Sequence, residues 1–407
     1  MAIYGNIPVR PAFPQLRAPG PAPDPDGKAL LLYIHVPFCK TRCHYCAFHS
    51  QVFNHVGYQW YVKTLHKEIA LWGGRLRRPA LRTVFFGGGT PSIMPLSDLD
   101  GIMDAVRTHF RIESGAEVSI EANPDTAADI SYFRALLDIG FNRLSLGVQS
   151  LADEDLLLLG RPHSAEQAVI SYGTARRAGF NNISLDLMWG LPRQRLSVWL
   201  EQLKSVVKMR PDHISCYGLT VEPDTVFGRR AEECDLELPP EKEQGKMFLY
   251  GSDYLESEGY MHYEISNFAR MGFECRHNMG YWEGTDYLGL GPSAVSTIGT
   301  RRFTNPTFMD AWDAAVRGGY AGQDYEELDE AARLREFVML GLRTARGMDL
   351  KEYRRRTGKD LVSSRRRLIE ALHANNLIRI ARGRLRLTKE GMLVSNVIME
   401  RLAFPEE

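Results

Sequence analysis

Apolar positions along this chain follow two alternating rhythms. Short continuous apolar runs at residues 29–36, 83–86, 117–121, 143–148, 183–187 and 213–219 read as strands buried on both faces, because a strand with one wet face would alternate apolar and polar positions. Between them lie segments of helical spacing: residues 58–76, a helix opening at Ser97-Asp98-Leu99-Asp100 with a capping-box-like pattern, residues 164–178 closed by Gly179, and residues 197–208. Six such strands alternating with helices predict an α/β fold on parallel strands, a partial (β/α)6 barrel rather than an eight-fold one. In barrels of this kind the chemistry gathers at the carboxyl ends of the strands.

The pattern changes near residue 320. Helical spacing at 327–344, 350–356 and 363–373 is followed by two short runs, 377–380 and 385–387, that pair as a hairpin across Arg382-Gly383, and a last helix begins at Lys389. That is a winged-helix order. The expected domains are therefore an extended N-terminal lead-in at residues 1–28, which holds seven prolines, a core barrel at 29–320, and a small helical, winged-helix-like domain at 321–407. Arginines at 354–356 and 365–367 could form a nucleic-acid face, but Glu352, Asp360 and Glu370 are interleaved with them. A solvated surface is the expectation, and nucleic acid is not an expected partner.

Composition narrows the class. At 407 residues and 44% hydrophobic content the chain has material for a sizeable core, and fifty basic residues balance fifty acidic ones. Bulk charge therefore gives no reason to expect a polyanion or an anionic membrane as partner. No apolar run reaches the ~18 residues of a transmembrane helix, and the first residues lack a signal peptide's apolar centre. Six cysteines, three crowded together and Cys216, Cys234 and Cys275 scattered, do not form a disulfide framework. The expected location is the cytoplasm.

The crowded three carry the chemistry. Residues 33–48 read YIHVPFCKTRCHYCAF, placing Cys39, Cys43 and Cys46 just past the first strand. Structural zinc takes four ligands from two separated pairs, and iron-sulfur clusters are usually held by four thiolates. A lone C-x-x-x-C-x-x-C triplet suggests a cluster with one iron open to a substrate. Half a zinc site, or three unrelated thiols, is the plainer alternative, but no second C-x-x-C follows. The run Gly87-Gly88-Gly89 lets backbone approach a ligand closely, presenting amide donors to a carboxylate or carbonyls to an ammonium. Glu121, Gln149, Arg161 and Asp186 stand at or beside successive strand ends. There a polar group needs a partner, structural or bound.

The Cys39–Cys43–Cys46 spacing resembles the signature of radical S-adenosylmethionine (SAM) proteins. With FFGGGTPS, EANP, LSLGVQS, LGRPH, DLMWGLP and HISCYGLT in order, residues 30–300 resemble the oxygen-independent coproporphyrinogen oxidase branch of that superfamily, and the C-terminal part resembles the branch's accessory domain. The coproporphyrinogen dehydrogenases carry a further cysteine where this chain has Phe48. The related HemW haem chaperones have phenylalanine there and an H-N-x-x-Y-W motif, matched by His277, Asn278, Tyr281 and Trp282, so the chain is identified as HemW-like. The resemblance implies that Cys39, Cys43 and Cys46 ligate a 4Fe-4S cluster. It implies SAM contacts at Tyr33, Tyr45, Gly88, Gly89, Thr90, Glu121, Gln149, Arg161 and Asp186, with Thr220 and Val295 as weaker matches. It also implies haem as cargo, a haem-receiving apoprotein, and an electron donor such as flavodoxin or ferredoxin. Dehydrogenase and HemN-like methyltransferase activities are the alternatives. The segment Gly291-Pro292-Ser293-Ala294-Val295-Ser296 reads more like the dehydrogenases.

His277 is the candidate haem ligand, since imidazole is a common axial ligand, and Tyr281 and Trp282 offer flat apolar surface for a porphyrin. If the segment is helical, His277 and Tyr281 lie four apart on one face. A turn with both aromatic residues in the core would use the same residues, and Cys275 is a competing soft ligand.

Overall fold

A computed structural model describes residues 29–319 and 323–403. The proline-rich lead-in expected at residues 1–28 lies outside them. Strands and helices alternate as the apolar pattern requires: β1 Leu30–Val36, α1 His55–Arg75, β2 Ala80–Gly88, α2 Leu96–His109, β3 Arg111–Ala122, α3 Ile130–Ile139, β4 Arg143–Gln149, α4 Ala165–Ala178, β5 Ile183–Trp189, α5 Leu196–Met209 and β6 His213–Gly218. The chain forms two compact units. The first holds the described residues up to Ile183 with Leu219–Leu236 and Asp286–Glu327; the second holds Ser184–Gly218, Glu237–Thr285 and the described residues from Leu328 onward.

In the first unit β1 pairs in parallel with β2, β2 with β3, and β3 with β4, so the expected parallel-strand α/β core is present. Leu30, Leu31, Leu32, Ile34 and Val36 of β1 are fully enclosed, which explains why this strand reads as an unbroken apolar run. Each such side chain contributes about 1.5–3 kcal/mol by leaving water. Helix α1 starts at Asn54, whose side chain accepts from the Gly57 amide, and buries Tyr61, Leu65, Ile69 and Trp72 along one face. The capping box expected at Ser97 does not form. The helix begins one residue earlier, after Pro95, and Asp98 instead accepts from the Tyr58 hydroxyl at 2.5 Å. A true capping box stands at Ser164 and Gln167, and α4 ends at Gly179 in the left-handed region at φ +119°. Strand Tyr287–Leu290 adds in parallel beside β1, and Val295–Ile298, Arg301–Thr304 and Gln323–Glu327 continue antiparallel.

In the second unit β5 and β6 pair in parallel, and Asn267–Ala269 pairs antiparallel with β6. Its C-terminal part contains the hairpin Ile378–Ala381 with Arg384–Leu387. Arg382 and Gly383 both take positive φ, as a two-residue turn matched to strand twist requires. Met348–Asp349 adds the third strand, and helices Leu350–Thr357, Leu361–Ser364 and Arg366–Ala374 lie between. The region expected as one helix at 363–373 is thus two, meeting at Ser364–Arg366.

Candidate functional site

The cysteine loop is tied at its base. Phe38–Cys39 and Gln51–Val52 form a two-residue parallel ladder, and the Phe53 amide donates to the Cys39 carbonyl at 2.9 Å. Its middle is fixed through His44, whose amide donates to Leu159 O at 3.0 Å and whose carbonyl accepts from the Phe227 amide at 2.9 Å. Cys39, Cys43 and Cys46 are all half-buried and unpaired in disulfides. Phe48, two residues on, is 69% exposed.

Glycines let the next strand end pass close by. Gly88 has φ +108°, and a Cβ there would stand 2.5 Å from the His35 ring; a Cβ on Gly89 would stand 2.6 Å from the Phe38 carbonyl. The bare backbone brings Thr90 against the cysteine loop: its amide donates to Phe38 O at 2.7 Å, and its hydroxyl to Cys39 Sγ at 3.5 Å. Glu121 accepts the Gly88 amide at 3.1 Å. Tyr33 reaches His35 Nδ1 at 3.0 Å, and the His35 Nε2 bonds the His49 carbonyl at 2.8 Å.

A side-chain circuit joins two of the thiols. The Thr90 hydroxyl on Cys39 accepts from Asn123 Nδ2 at 3.1 Å; Asn123 Oδ1 accepts from Arg161 Nη2 at 2.7 Å; and Arg161 Nη1 donates to Cys43 Sγ at 3.4 Å. Arg161 Nη2 also binds Gly147 O at 2.7 Å, and its buried Nε has no hydrogen-bond partner. The sequence reading missed Asn123, although it sits in the EANP string two residues after Glu121. Burial pushes the Cys39 and Cys46 thiols up, and it pushes the Tyr45 phenol up against the opposing pull of Arg161. Gln149 ends β4 at φ +65°, a conformation that costs a non-glycine residue about 1–3 kcal/mol and that persists where surroundings dictate it.

Among the described residues no three His, Cys, Asp or Glu side chains are spaced to hold a single metal ion. A four-iron cluster takes each thiolate on a different iron, and three thiols with donors already on two of the sulfurs suit it chemically. The other expected positions are more dispersed. Thr220 lies two residues past β6, and Val295 opens an antiparallel strand opposite Thr304. Asp186 lies on β5 in the second unit, where its Oδ1 accepts from Ser184 at 2.9 Å and Ser215 at 2.6 Å.

Also in the second unit, α6 Arg276–Trp282 carries the H-N-x-x-Y-W residues. His277 Nε2 and Tyr281 Oη are 3.0 Å apart with their rings edge to face, so the four-residue spacing does place them together. The imidazole is only 1% exposed, and Cys275 is fully buried. Trp282 is covered by the Arg343 guanidinium, 4.8 Å from its ring centre.

Comparison with known proteins places this geometry in a family. A model of the radical SAM superfamily matches residues 33–201, and one of the HemN C-terminal domain matches residues 328–394. The heme chaperone HemW of Bacillus subtilis (strain 168) is 33% identical over 368 residues, which is 90% of this chain and 97% of that protein. The heme chaperone HemW of Escherichia coli (strain K12) is 38% identical over 66% of this chain and 70% of its own length. Among solved structures, coproporphyrinogen III oxidase (HemN) from Escherichia coli, a radical SAM enzyme, covers 92% of this chain and 90% of its own with a TM-score of 0.80 at 25% identity. Near-complete coverage by relatives of one name, with the cysteine loop and its donors in place, decides the assignment: the chain belongs to the HemW family of radical SAM proteins.

Proposed function

We propose that the protein is a haem chaperone that carries a 4Fe-4S cluster and SAM and passes haem to a target apoprotein. The observation that carries this reading is the Thr90–Asn123–Arg161 circuit, which puts hydrogen-bond donors on Cys39 and Cys43. Donors to sulfur stabilise thiolate charge and tune a cluster's potential. Cys39, Cys43 and Cys46 would hold the cluster, and SAM would bind beside it. Such a cluster, when bound, would supply one-electron chemistry toward SAM, with a flavodoxin or ferredoxin as the proposed electron donor.

The chain's own contribution is placement. Gly88 and Gly89 present backbone at close range, and Glu121 and Arg161 offer opposite charges to the two ends of an amino acid. Tyr33 on β1, Tyr45 in the cysteine loop and Thr90 after β2 are further proposed SAM contacts, as are Gln149, Asp186, Thr220 and Val295. His277 with Tyr281 is the proposed haem site, and it requires the imidazole to part from the phenol before it can reach iron. Among the described residues no helix is long and apolar enough to cross a membrane, and the cytoplasm is the proposed location.

Coproporphyrinogen oxidation is the second reading, favoured by the 0.80 TM-score to that oxidase and by the Gly291–Ser296 segment. Phe48, in place of a cysteine, weighs against it. The test uses anaerobically reconstituted protein loaded with haemin and mixed with an apo-haemoprotein. Haem transfer without conversion of coproporphyrinogen III in the presence of SAM and reductant supports the chaperone. Decarboxylated product, or failure to bind haemin, overturns it.

A further inference from the structure

Behind Asp186 runs a line of enclosed polar groups that neither the cluster loop nor the haem motif accounts for. Ser184 Oγ, which donates to Asp186 Oδ1, lies 2.8 Å from His213 Nδ1. His213 Nε2 lies 2.7 Å from Tyr263 Oη, and Tyr263 Oη accepts from the Cys275 amide at 3.3 Å. Cys275 is the N-cap residue of α6, the helix that holds His277 and Tyr281. All these residues belong to the second unit. Ser184 and Cys275 are fully buried, His213 is 1% exposed and Tyr263 7%.

One arrangement of protons satisfies every bond of the line. A backbone amide can only donate and an ionised carboxylate can only accept. In that arrangement the Cys275 N–H donates to Tyr263, the Tyr263 hydroxyl to His213 Nε2, the His213 Nδ1–H to Ser184, and the Ser184 hydroxyl to Asp186. Each donor is polarised by the bond behind it, which strengthens such chains cooperatively in an interior. Apolar side chains could fill the same interior without the desolvation that the three enclosed polar side chains Ser184, His213 and Tyr263 incur.

We propose that His213 and Tyr263 are positioning residues that link the Asp186 carboxylate to the first turn of α6, so that a ligand on Asp186 and a ligand on His277 affect each other's affinity. This rests on the reading of Asp186 as a SAM contact and of His277 as the haem site. A SAM hydroxyl bound to Asp186 shares the carboxylate with Ser184 and Ser215, and the change in those bonds passes along the line to the helix N-terminus. Such coupling is reciprocal by necessity.

The experiment measures haemin affinity with and without SAM, and SAM affinity with and without haemin, on the cluster-loaded protein and on Tyr263→Phe, which removes one hydroxyl. The expected result for the unaltered protein is the same ratio in both directions, about fivefold or more. In Tyr263→Phe the ratio falls to about one while both ligands still bind. Ser184→Ala breaks the line at its other end and should give the same loss should the tyrosine variant fail to fold. A ratio of one in the unaltered protein, or an unchanged ratio in both variants, overturns the coupling while leaving the chaperone reading intact. Absence of haemin binding in the unaltered protein overturns both.

Discussion

Arg161 Nη1 stands 3.4 Å from Cys43 Sγ while Nη2 is held by Asn123 and the Gly147 carbonyl. The guanidinium is thus fixed before any cluster arrives, and a charged donor of this kind contributes about 1.5–3 kcal/mol. Arg161→Ala is expected to lower the iron retained after reconstitution and to speed bleaching of the cluster absorption in air. Arg161→Lys keeps the charge but not the planar fork, and should fall between. Equal iron content and bleaching rate in all three proteins would sever the circuit from the cluster.

Gly88→Ala tests the close passage of β2 over β1. The new Cβ would sit 2.5 Å from the His35 ring at a backbone φ of +108°, so a loss of stability of about 1–3 kcal/mol is expected, with weaker SAM binding because Thr90 follows the same turn and Glu121 accepts its Gly88 amide. Urea unfolding and equilibrium binding of SAM measure the two. A variant as stable as the parent would show that the turn relaxes freely.

Glu68 is a fully buried carboxyl on α1 that receives the Gly291 amide at 2.8 Å, Asn305 Nδ2 at 2.6 Å and Trp312 Nε1 at 3.2 Å. Burial pushes it up to about 7, against the opposing pull of those three donors. The folded protein therefore binds this proton more tightly than the unfolded chain. Its contribution is complete below the unfolded value of 4.5 and is lost as pH rises through about 7, on the order of 3 kcal/mol in all. Unfolding midpoints from pH 5 to 8 should fall with pH relative to Glu68→Gln, whose neutral amide has no such slope. Parallel profiles would mean that Glu68 is ionised throughout.

His277→Ala is expected to weaken haemin binding at least about tenfold, the loss of roughly 1.4 kcal/mol of ligation, and to shift the Soret band. Tyr281→Phe removes the hydroxyl at 3.0 Å from the imidazole and should make haemin bind more readily, since the ring pair no longer has to break that bond. Cys275→Ala serves as the control for a sulfur ligand. A titration curve and spectrum unchanged in His277→Ala would remove His277 from the haem site.

The sequence by itself determined what depends on neighbours along the chain. The apolar runs of β1 to β6, the thiols at positions 39, 43 and 46, the Gly179 stop of α4 and the Arg382-Gly383 turn are local patterns. Each is set by residues a few positions apart in the chain. Likewise the four-residue step from His277 to Tyr281 needed only a helix to become a contact. The tertiary structure alone decided which distant residues meet. Asn123 comes between Thr90 and Arg161, Glu68 meets Gly291 and Trp312, and His213 meets Tyr263, because the packing of strands, helices and loops brought them together. Hydrophobic periodicity says that a strand is buried but not beside which strand it lies. The positive φ of Gln149 is set the same way, since no local preference of glutamine selects it and only the surroundings hold it there.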